Sequence, residues 1–340
     1  MTIMSYKSPY TITEEIVSLV AAISEEVGKL SVLNRHDLRL RRINRIRTIR
    51  GTLAIEGNTL SEEQITAIIN GTPVIAPPRE IQEVRNALSA YKQLSKWRPE
   101  KEKDFLAAHE IMMQGLIDDC GQYRQGDVGV MGAGKVLHMA PPAHRVPELM
   151  QNLFNWLKTT SAHPLISSSV FHYELEFIHP FSDGNGRMGR LWQTLILSQW
   201  QPILIDLPVE SIVHAYQQDY YQAIKQSTMQ TDAAPFIIFM LSSILETCRK
   251  NTPQVTLQVS PQVKQLLLIV REEMSREELM KRMKLKDIKH FRQRYLNPAI
   301  KAGLLEMTQP QTPRSPTQRY RLTKCGQALV KQWEGKNSDE

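Results

Sequence analysis

Before residue 250 the apolar positions recur mostly at the three- and four-residue spacing of amphipathic helices. In "RLRRINRIRTIRGTLAIEG", Ile43, Ile46, Ile49 and Leu53 fall on one stripe with arginines between them. "PPREIQEVRNALSAYKQL" opens on prolines and then places Ile81, Val84, Leu88 and Tyr91 on one face. "EKDFLAAHEIMMQGL" and "VPELMQNLFNWLKTT" repeat the pattern, and "SSSVFHYELEFIHP" predicts a helix capped by its serines and stopped at Pro180.

Two regions differ. In "YRQGDVGVMGAGKVLHMAPPAH", Val128, Val130, Val136 and Leu137 flank Gly129, Gly132 and Gly134, which predicts a short β-hairpin ended by two prolines. "NTPQVTLQVSPQ" is polar and aperiodic and reads as a linker. Beyond it, "PQVKQLLLIV", "SREELMKRM" and "DIKHFRQRYLNPAIKAG" predict three helices, and "LLEMT" and "RYRLT" two strands: a winged helix. The expected organisation is a helical region over 1–100, a central domain over 101–250, a linker over 251–262 and a winged-helix domain over 263–332.

Composition narrows the class. The chain has 340 residues, 41% hydrophobic and 23% charged, enough to bury a large core. Its longest apolar run, "FIIFMLSSIL", is too short to span a bilayer, and "MTIMSYKSPY" lacks a secretory pattern. Its 3 cysteines are far apart, with no CxxC pair. These features predict a cytoplasmic protein with no membrane association. The net charge of +7 is uneven: residues 260–340 hold 17 Lys and Arg against 9 Asp and Glu, the rest 25 against 26. An anionic partner is therefore expected at the C-terminal end. Lys289 and Arg292 of the third helix and the nearby Lys286, with Arg314, Arg319 and Arg321 of the wing, suit DNA. A protein-docking role for the winged helix stays open beside it.

The stretch "HPFSDGNGRMGR" carries the chemistry. A bare "DGNG" loop running into the helix "RMGRLWQTLILSQW" offers backbone N–H groups and a positive helix end to phosphate. Arg187 and Arg190, three apart on nearly one face, suit a polyphosphate. Asp183 is a hard oxygen ligand for Mg²⁺. The Asn185 amide can donate to a phosphate oxygen. His179 precedes a proline, which predicts an extended backbone aiming the imidazole across the loop, where it can accept a proton from an attacking hydroxyl. Phe181 is expected to pin the loop to the core. "GVMGAGK" has Walker A spacing, but Val136 stands where a hydroxyl is needed and no helix follows. "HEIMM" around His109 lacks the second histidine of a zincin.

From His179 to Arg190 the residues match the Fic signature His-x-Phe-x-Asp-Gly-Asn-Gly-Arg-x-x-Arg at every defining position, so the chain resembles a Fic-domain protein adenylyltransferase. The resemblance implies a mainly α fold with a Fic helical core, a β-hairpin flap and the winged helix. It implies transfer of AMP from ATP, with Mg²⁺, to a Ser, Thr or Tyr hydroxyl of a target protein docked on the flap. It makes His179 the general base, Asp183 the metal ligand, Gly184, Asn185, Gly186 and Arg187 the anion site, and Arg190 the γ-phosphate arginine. Val130, Met131 and Gly132 of the flap would line the nucleotide site. Tyr220 and Tyr221 of "DYYQAI" would line an adenine pocket or, on the plainer reading, pack in the core. "TLAIEGNTL" resembles the family's inhibitory motif through Thr52, Glu56 and Gly57, with Glu56 as a bidentate partner of Arg190; a local pair with Arg50 is the alternative. In some relatives that glutamate supports removal of AMP. A DNA-binding regulator with a nucleotide-sensing core, transfer of another nucleotide or phosphate group, and a homodimer remain open.

Overall fold

The computed structural model describes residues 8–33, 38–132, 135–251, 260–312, 315, 317–323, 326–327, 329–330 and 333. The chain divides into two units, residues 1–252 and 253–340. The linker expected over 251–262 falls mostly outside the described residues; Asn251 ends a helix, and Ser260 caps the next.

The first unit is helical, as the periodicity predicts. Its helices are α1 (Glu14–Leu33), α2 (Leu38–Ile55), α3 (Glu62–Ile69), α4 (Pro78–Gln93), α5 (Glu102–Met113), α6 (Val146–Thr159), α7 (Pro164–Ile178), α8 (Asn185–Trp200), α9 (Val209–Ala215), α10 (Gln217–Gln230) and α11 (Ala234–Asn251). The expected stripes turn inward: Ile46, Ile49 and Leu53 of α2, Val84 and Tyr91 of α4, and Val146, Met150 and Leu153 of α6 are all buried. Helix α7 lies at the centre, buried on nearly every face. Beside it Phe105, Phe154, Phe171, Phe181 and Trp192 form one aromatic cluster, with Phe105 against the other four. Each such side chain, fully buried, contributes about 1.5–3 kcal/mol. Phe181 thus pins the loop as expected.

The serines do not cap α7. His163 occupies that place, its Nδ1 accepting from the Leu165 N–H at 3.2 Å, and Pro164 opens the first turn with its φ already helical. Ser168 and Ser169 instead donate back to the Leu165 carbonyl inside the helix.

Strands β1 (Gly129–Gly132) and β2 (Lys135–Met139) form the expected hairpin. Gly129 stands opposite Met139 and Gly132 opposite Lys135, with an irregularity between Val130 and Met131.

The second unit contains α12 (Pro261–Ile269), β3 (Met274–Ser275), α13 (Arg276–Arg282), α14 (Ile288–Phe291), a π turn (Arg292–Leu296), α15 (Asn297–Lys301), β4 (Leu305–Met307) and β5 (Arg319–Leu322). The strands form an antiparallel sheet in the order β3-β5-β4. Leu266, Leu279, Phe291 and Leu305 are among the residues of its own core. These elements agree with those expected from the sequence, with one strand more than periodicity predicts. Strand β3 is two residues long and carries no readable alternation.

Two of the wing arginines stand beside carboxylates. Arg321 pairs with Glu306 at 2.7 Å and Glu273 at 3.0 Å, and Arg319 lies 3.6 Å from Glu278. Arg314 lies outside the described residues. Lys286, Lys289 and Arg292 are exposed. Among the described residues the helix cations thus lack the close carboxylate partners that Arg319 and Arg321 have.

Candidate active site

The loop between α7 and α8 is built around its missing side chains. Gly184 has φ +89°, and a Cβ there would lie 2.7 Å from Met113 Sδ. At Gly186 a Cβ would fall 2.5 Å from Glu56 Oε1 and 3.0 Å from Arg190 Nη1. Gly189 lets α8 lie against the His172 ring.

The conformation of His179 departs from expectation. Its φ and ψ are 50° and 61°, left-handed rather than extended. The pre-proline restriction is overruled by bonds at the helix end. The His179 N–H reaches the Leu175 carbonyl at 2.8 Å, and its own carbonyl accepts from Arg124 Nε at 2.7 Å.

Asn185 also serves differently from expectation. Its Oδ1 accepts from the Phe181 N–H and its Nδ2 donates to the Phe181 carbonyl, each at 2.9 Å. Both ends of the amide help to close the loop, which takes one of its two Nδ2 hydrogens. His109, set aside in the sequence, lies under the same loop. Its ring stacks on Phe181 with centroids 3.5 Å apart. Nδ1 accepts from the Gly121 N–H at 2.9 Å, which puts the proton on Nε2, 3.0 Å from the Asp183 carbonyl. Burial lowers its pKa to about 4, so the ring is neutral at physiological pH.

The two arginines part company. Arg187 donates to Asp183 Oδ1 at 2.8 Å and lies 3.9 Å from Glu83. Asp183 Oδ2 in turn is 3.3 Å from Arg79 of α4. Arg190 turns to α2: Nε donates to Thr52 Oγ1 and Nη2 to the Thr52 carbonyl, each at 3.0 Å, and Nη2 donates to Glu56 Oε1 at 2.5 Å. Glu56 therefore pairs with Arg190, not with Arg50, but through one hydrogen bond rather than two. Thr52 takes Nε and the other hydrogen of Nη2. Burial works against the charge of Arg190, yet Glu56, Tyr220 and Glu176 outweigh it and hold its pKa raised. Arg190 Nη1 is buried with no hydrogen-bond partner among the described residues. Gly57, φ +92°, ends α2 immediately after Glu56.

A cavity of about 260 Å³ opens among these groups. It is lined by Glu56, Gly129, Glu176, His179, Ser182, Asp183, Gly184, Asn185, Gly186, Arg190, Tyr220, Tyr221 and Ile224. Arg187 is not in its wall. Tyr220 is fully buried, its hydroxyl 3.2 Å from both His172 Nε2 and Glu176 Oε1, while Tyr221 is half-buried. Tyr220 thus joins a buried polar network as well as the wall. Glu176 is pushed up by burial, but the hydrogen bond and charge of His172, with His179 and Arg190, outweigh this and hold its pKa lowered. Val130, Met131 and Gly132 lie on the adjoining strand; the side chains of Val130 and Met131 are outside the described residues.

Residues 99–197 match the Fic/DOC family, and residues 261–323 match the C-terminal domain of the Filamentation induced by cAMP protein Fic-like family. A crystal structure of a Fic family protein from Desulfovibrio desulfuricans G20 is 52% identical, with 94% of this chain and 99% of that one covered and a TM-score of 0.72. The chain belongs to the Fic family.

Among other Fic relatives, the protein adenylyltransferase fic-1 of Caenorhabditis elegans is 32% identical over 203 residues, 56% of this chain and 37% of its own. Protein adenylyltransferase Fic of Drosophila mojavensis is 28% identical over 250 residues, 67% of this chain and 47% of its own. The chain thus spans about half the length, or less, of these curated relatives. The structure of C. elegans Fic-1 shares the fold, with a TM-score of 0.54 at 23% identity over 70% of each chain. Among the described residues no helix is long and apolar enough to cross a membrane. Also among them, no group of three or more His, Cys, Asp and Glu could hold a metal alone.

Beyond its signature, this Fic site depends on Arg124, His109 and Glu176. The only sequence signal for them is composition: a charged or polar residue inside an otherwise apolar helix or beside the glycine-rich hairpin.

Proposed function

We propose that this Fic protein is an Mg²⁺-dependent protein adenylyltransferase that moves AMP from ATP to a Ser, Thr or Tyr hydroxyl and is held back by Glu56. One observation carries the reading: His179 and Arg190 face one cavity across a bare loop whose helix end is open to phosphate. Arg190 lines that cavity and its Nη1 has no hydrogen-bond partner among the described residues, so a γ-phosphate oxygen would supply the missing acceptor. The target hydroxyl attacks the α-phosphorus, its proton passes to His179, and the bond to the β-phosphate breaks to release pyrophosphate. Mg²⁺ fits as an ion brought with ATP, held by the single partly exposed carboxylate of Asp183 and by phosphate oxygens, where it would neutralise the departing charge. The α8 N-terminus and Arg190 orient the phosphates, and β1 presents a backbone on which a target segment can pair.

Glu56 occupies the guanidinium that the γ-phosphate needs. The cavity of about 260 Å³ is also below the usual range of ligand sites, about 300–1,000 Å³. ATP bound with that carboxylate in place has misplaced phosphates, and misplacement by about 1 Å can cost 10²-fold in rate. The same carboxylate, partly exposed in the cavity, is placed to take a proton from water in removal of AMP. A cytoplasmic setting goes with this reading, since Cys120 and Cys248 are thiols rather than a disulfide.

The test is Glu56→Gly protein with labelled ATP, GTP, CTP and UTP and a cell lysate. Labelled AMP on protein, lost in Glu56→Gly/His179→Ala, is expected. Label from another nucleotide alone, or label that survives loss of His179, refutes the assignment.

A second reading concerns the C-terminal unit. Lys284, Lys286, Lys289, Arg292, Arg294 and Lys301 are exposed along α14, the π turn, α15 and the turns before them, where Asp287 is the lone acid. Asp287 is spent on capping α14 through the Lys289 and His290 N–H groups. This face suits the phosphates of duplex DNA.

A further inference from the structure

Arg124 carries a cation in an interior position, and no carboxylate neutralises it closely. It is 3% exposed, and its nearest acid, Asp127, is 3.9 Å away and largely in solvent. The guanidinium is instead ringed by main-chain carbonyls. Nε donates to His179 at 2.7 Å, Nη1 to Gly126 at 2.8 Å, and Nη2 to Pro141 and, at 3.3 Å, to Ile178. The Arg124 N–H completes the set, donating to the Pro180 carbonyl at 2.9 Å.

These partners fall in two groups. Ile178, His179 and Pro180 are the end of α7, where carbonyls have lost their helical donors. Gly126 and Pro141 flank the β1–β2 hairpin on either side. One rigid fork therefore joins the root of the hairpin to the backbone that aims the imidazole. That backbone is left-handed at a non-glycine residue, a conformation that persists only where its surroundings impose it. The bond from Arg124 Nε to the His179 carbonyl is one such constraint, acting on the peptide that the conformation turns.

We propose that Arg124 is a positioning residue for transfer: it sets the direction of His179 and the distance of the hairpin from it, so that a hydroxyl carried on the hairpin meets its base. The proposal rests on the adenylyltransferase reading above. Lysine can fill the space and keep the charge, but it lacks the planar fork and cannot serve four carbonyls at once. A loose imidazole lowers the rate of the proton-coupled step and leaves the phosphate contacts, made by α8, untouched.

The experiment compares Glu56→Gly with Glu56→Gly/Arg124→Lys. Rates of AMP incorporation at saturating ATP, dissociation constants for ATP and melting curves are measured side by side. The expected result is a rate lowered by about 10²-fold with ATP affinity within about twofold. Equal rates, or a loss confined to ATP affinity, overturn the proposal. If Glu56→Gly itself transfers nothing, the adenylyltransferase reading is what fails, whatever Arg124 does. Should the lysine variant not fold, Glu56→Gly labelled with ¹⁵N-arginine decides. The Arg124 Nε–H must then exchange slowly with water, with and without ATP, and fast exchange overturns the proposal.

Discussion

His109 ties acid stability to the catalytic loop. In the folded protein its pKa is lowered to about 4 by burial, against 6.5 for the free side chain. The unfolded chain therefore takes up a proton as pH falls through 6.5, while the native ring stays neutral until about pH 4. Stability from this group is complete above pH 6.5 and is lost progressively as pH falls towards 4. The full separation corresponds to about 3 kcal/mol, and the loss between about pH 7 and pH 5 is about 2 kcal/mol. Protonation also removes the Nδ1 acceptor for the Gly121 N–H, while Nε2–H still holds the Asp183 carbonyl. Urea unfolding at both pH values, for wild type and His109→Gln, isolates the effect because every other titrating group is common to the two. The glutamine variant is expected to be less stable at pH 7 but to lose about 2 kcal/mol less on acidification. Parallel pH profiles for the two proteins would refute the buried neutral imidazole.

Further outcomes follow from the same geometry. Thr52→Ala removes the acceptor for Arg190 Nε but leaves Glu56, so its AMP incorporation should fall between wild type and Glu56→Gly; a rate at or above Glu56→Gly would show that Thr52, not Glu56, is the main restraint. Gly184→Ala combines a φ of +89° with a contact on Met113, and should destabilise by about 2–4 kcal/mol in chemical denaturation. Lys289→Glu should weaken duplex DNA binding and flatten its salt dependence, read by fluorescence anisotropy; unchanged binding would move the DNA contact elsewhere.

Much of this was legible beforehand, because helices and the phosphate loop are written in local spacing. The stripe Ile46, Ile49 and Leu53 depends on a period of 3.6 residues, and α2 buries it. The pairing of Glu56 with Arg190 crosses 134 positions, and only resemblance to the Fic inhibitory motif brought it into view. What spacing could not give is how polar groups share their bonds. Asn185 reads as a phosphate donor alone, yet its amide also ties the loop together through both ends at Phe181. His179 looks extended because of Pro180, until a guanidinium from 55 residues away is found on its carbonyl. Arg319 and Arg321 read as unpaired wing charges until Glu273, Glu278 and Glu306 appear beside them. In each case tertiary partners decide an outcome that local preference leaves open.

The resting site holds each of its working charges against an internal opposite. Asp183 lies between Arg187 and Arg79, and Arg190 lies against Glu56. This is what allows two guanidiniums at 3% exposure, since an unpaired buried cation would be far more costly. It also defines what an arriving ligand has to bring. A single small anion could replace Glu56 at Arg190, but Asp183 would stay neutralised by its arginines. A nucleotide triphosphate with Mg²⁺ brings both signs, phosphate for Arg190 and a cation for Asp183, and can exchange both pairs in one event. On the proposed reading, selectivity for a metal-bound polyphosphate would then lie in that pairing. On this argument Arg79→Ala, which removes one competitor for Asp183 from the exposed rim, should lower the Mg²⁺ concentration giving half-maximal AMP incorporation in Glu56→Gly protein. An unchanged Mg²⁺ dependence would show that Arg79 does not compete for that carboxylate.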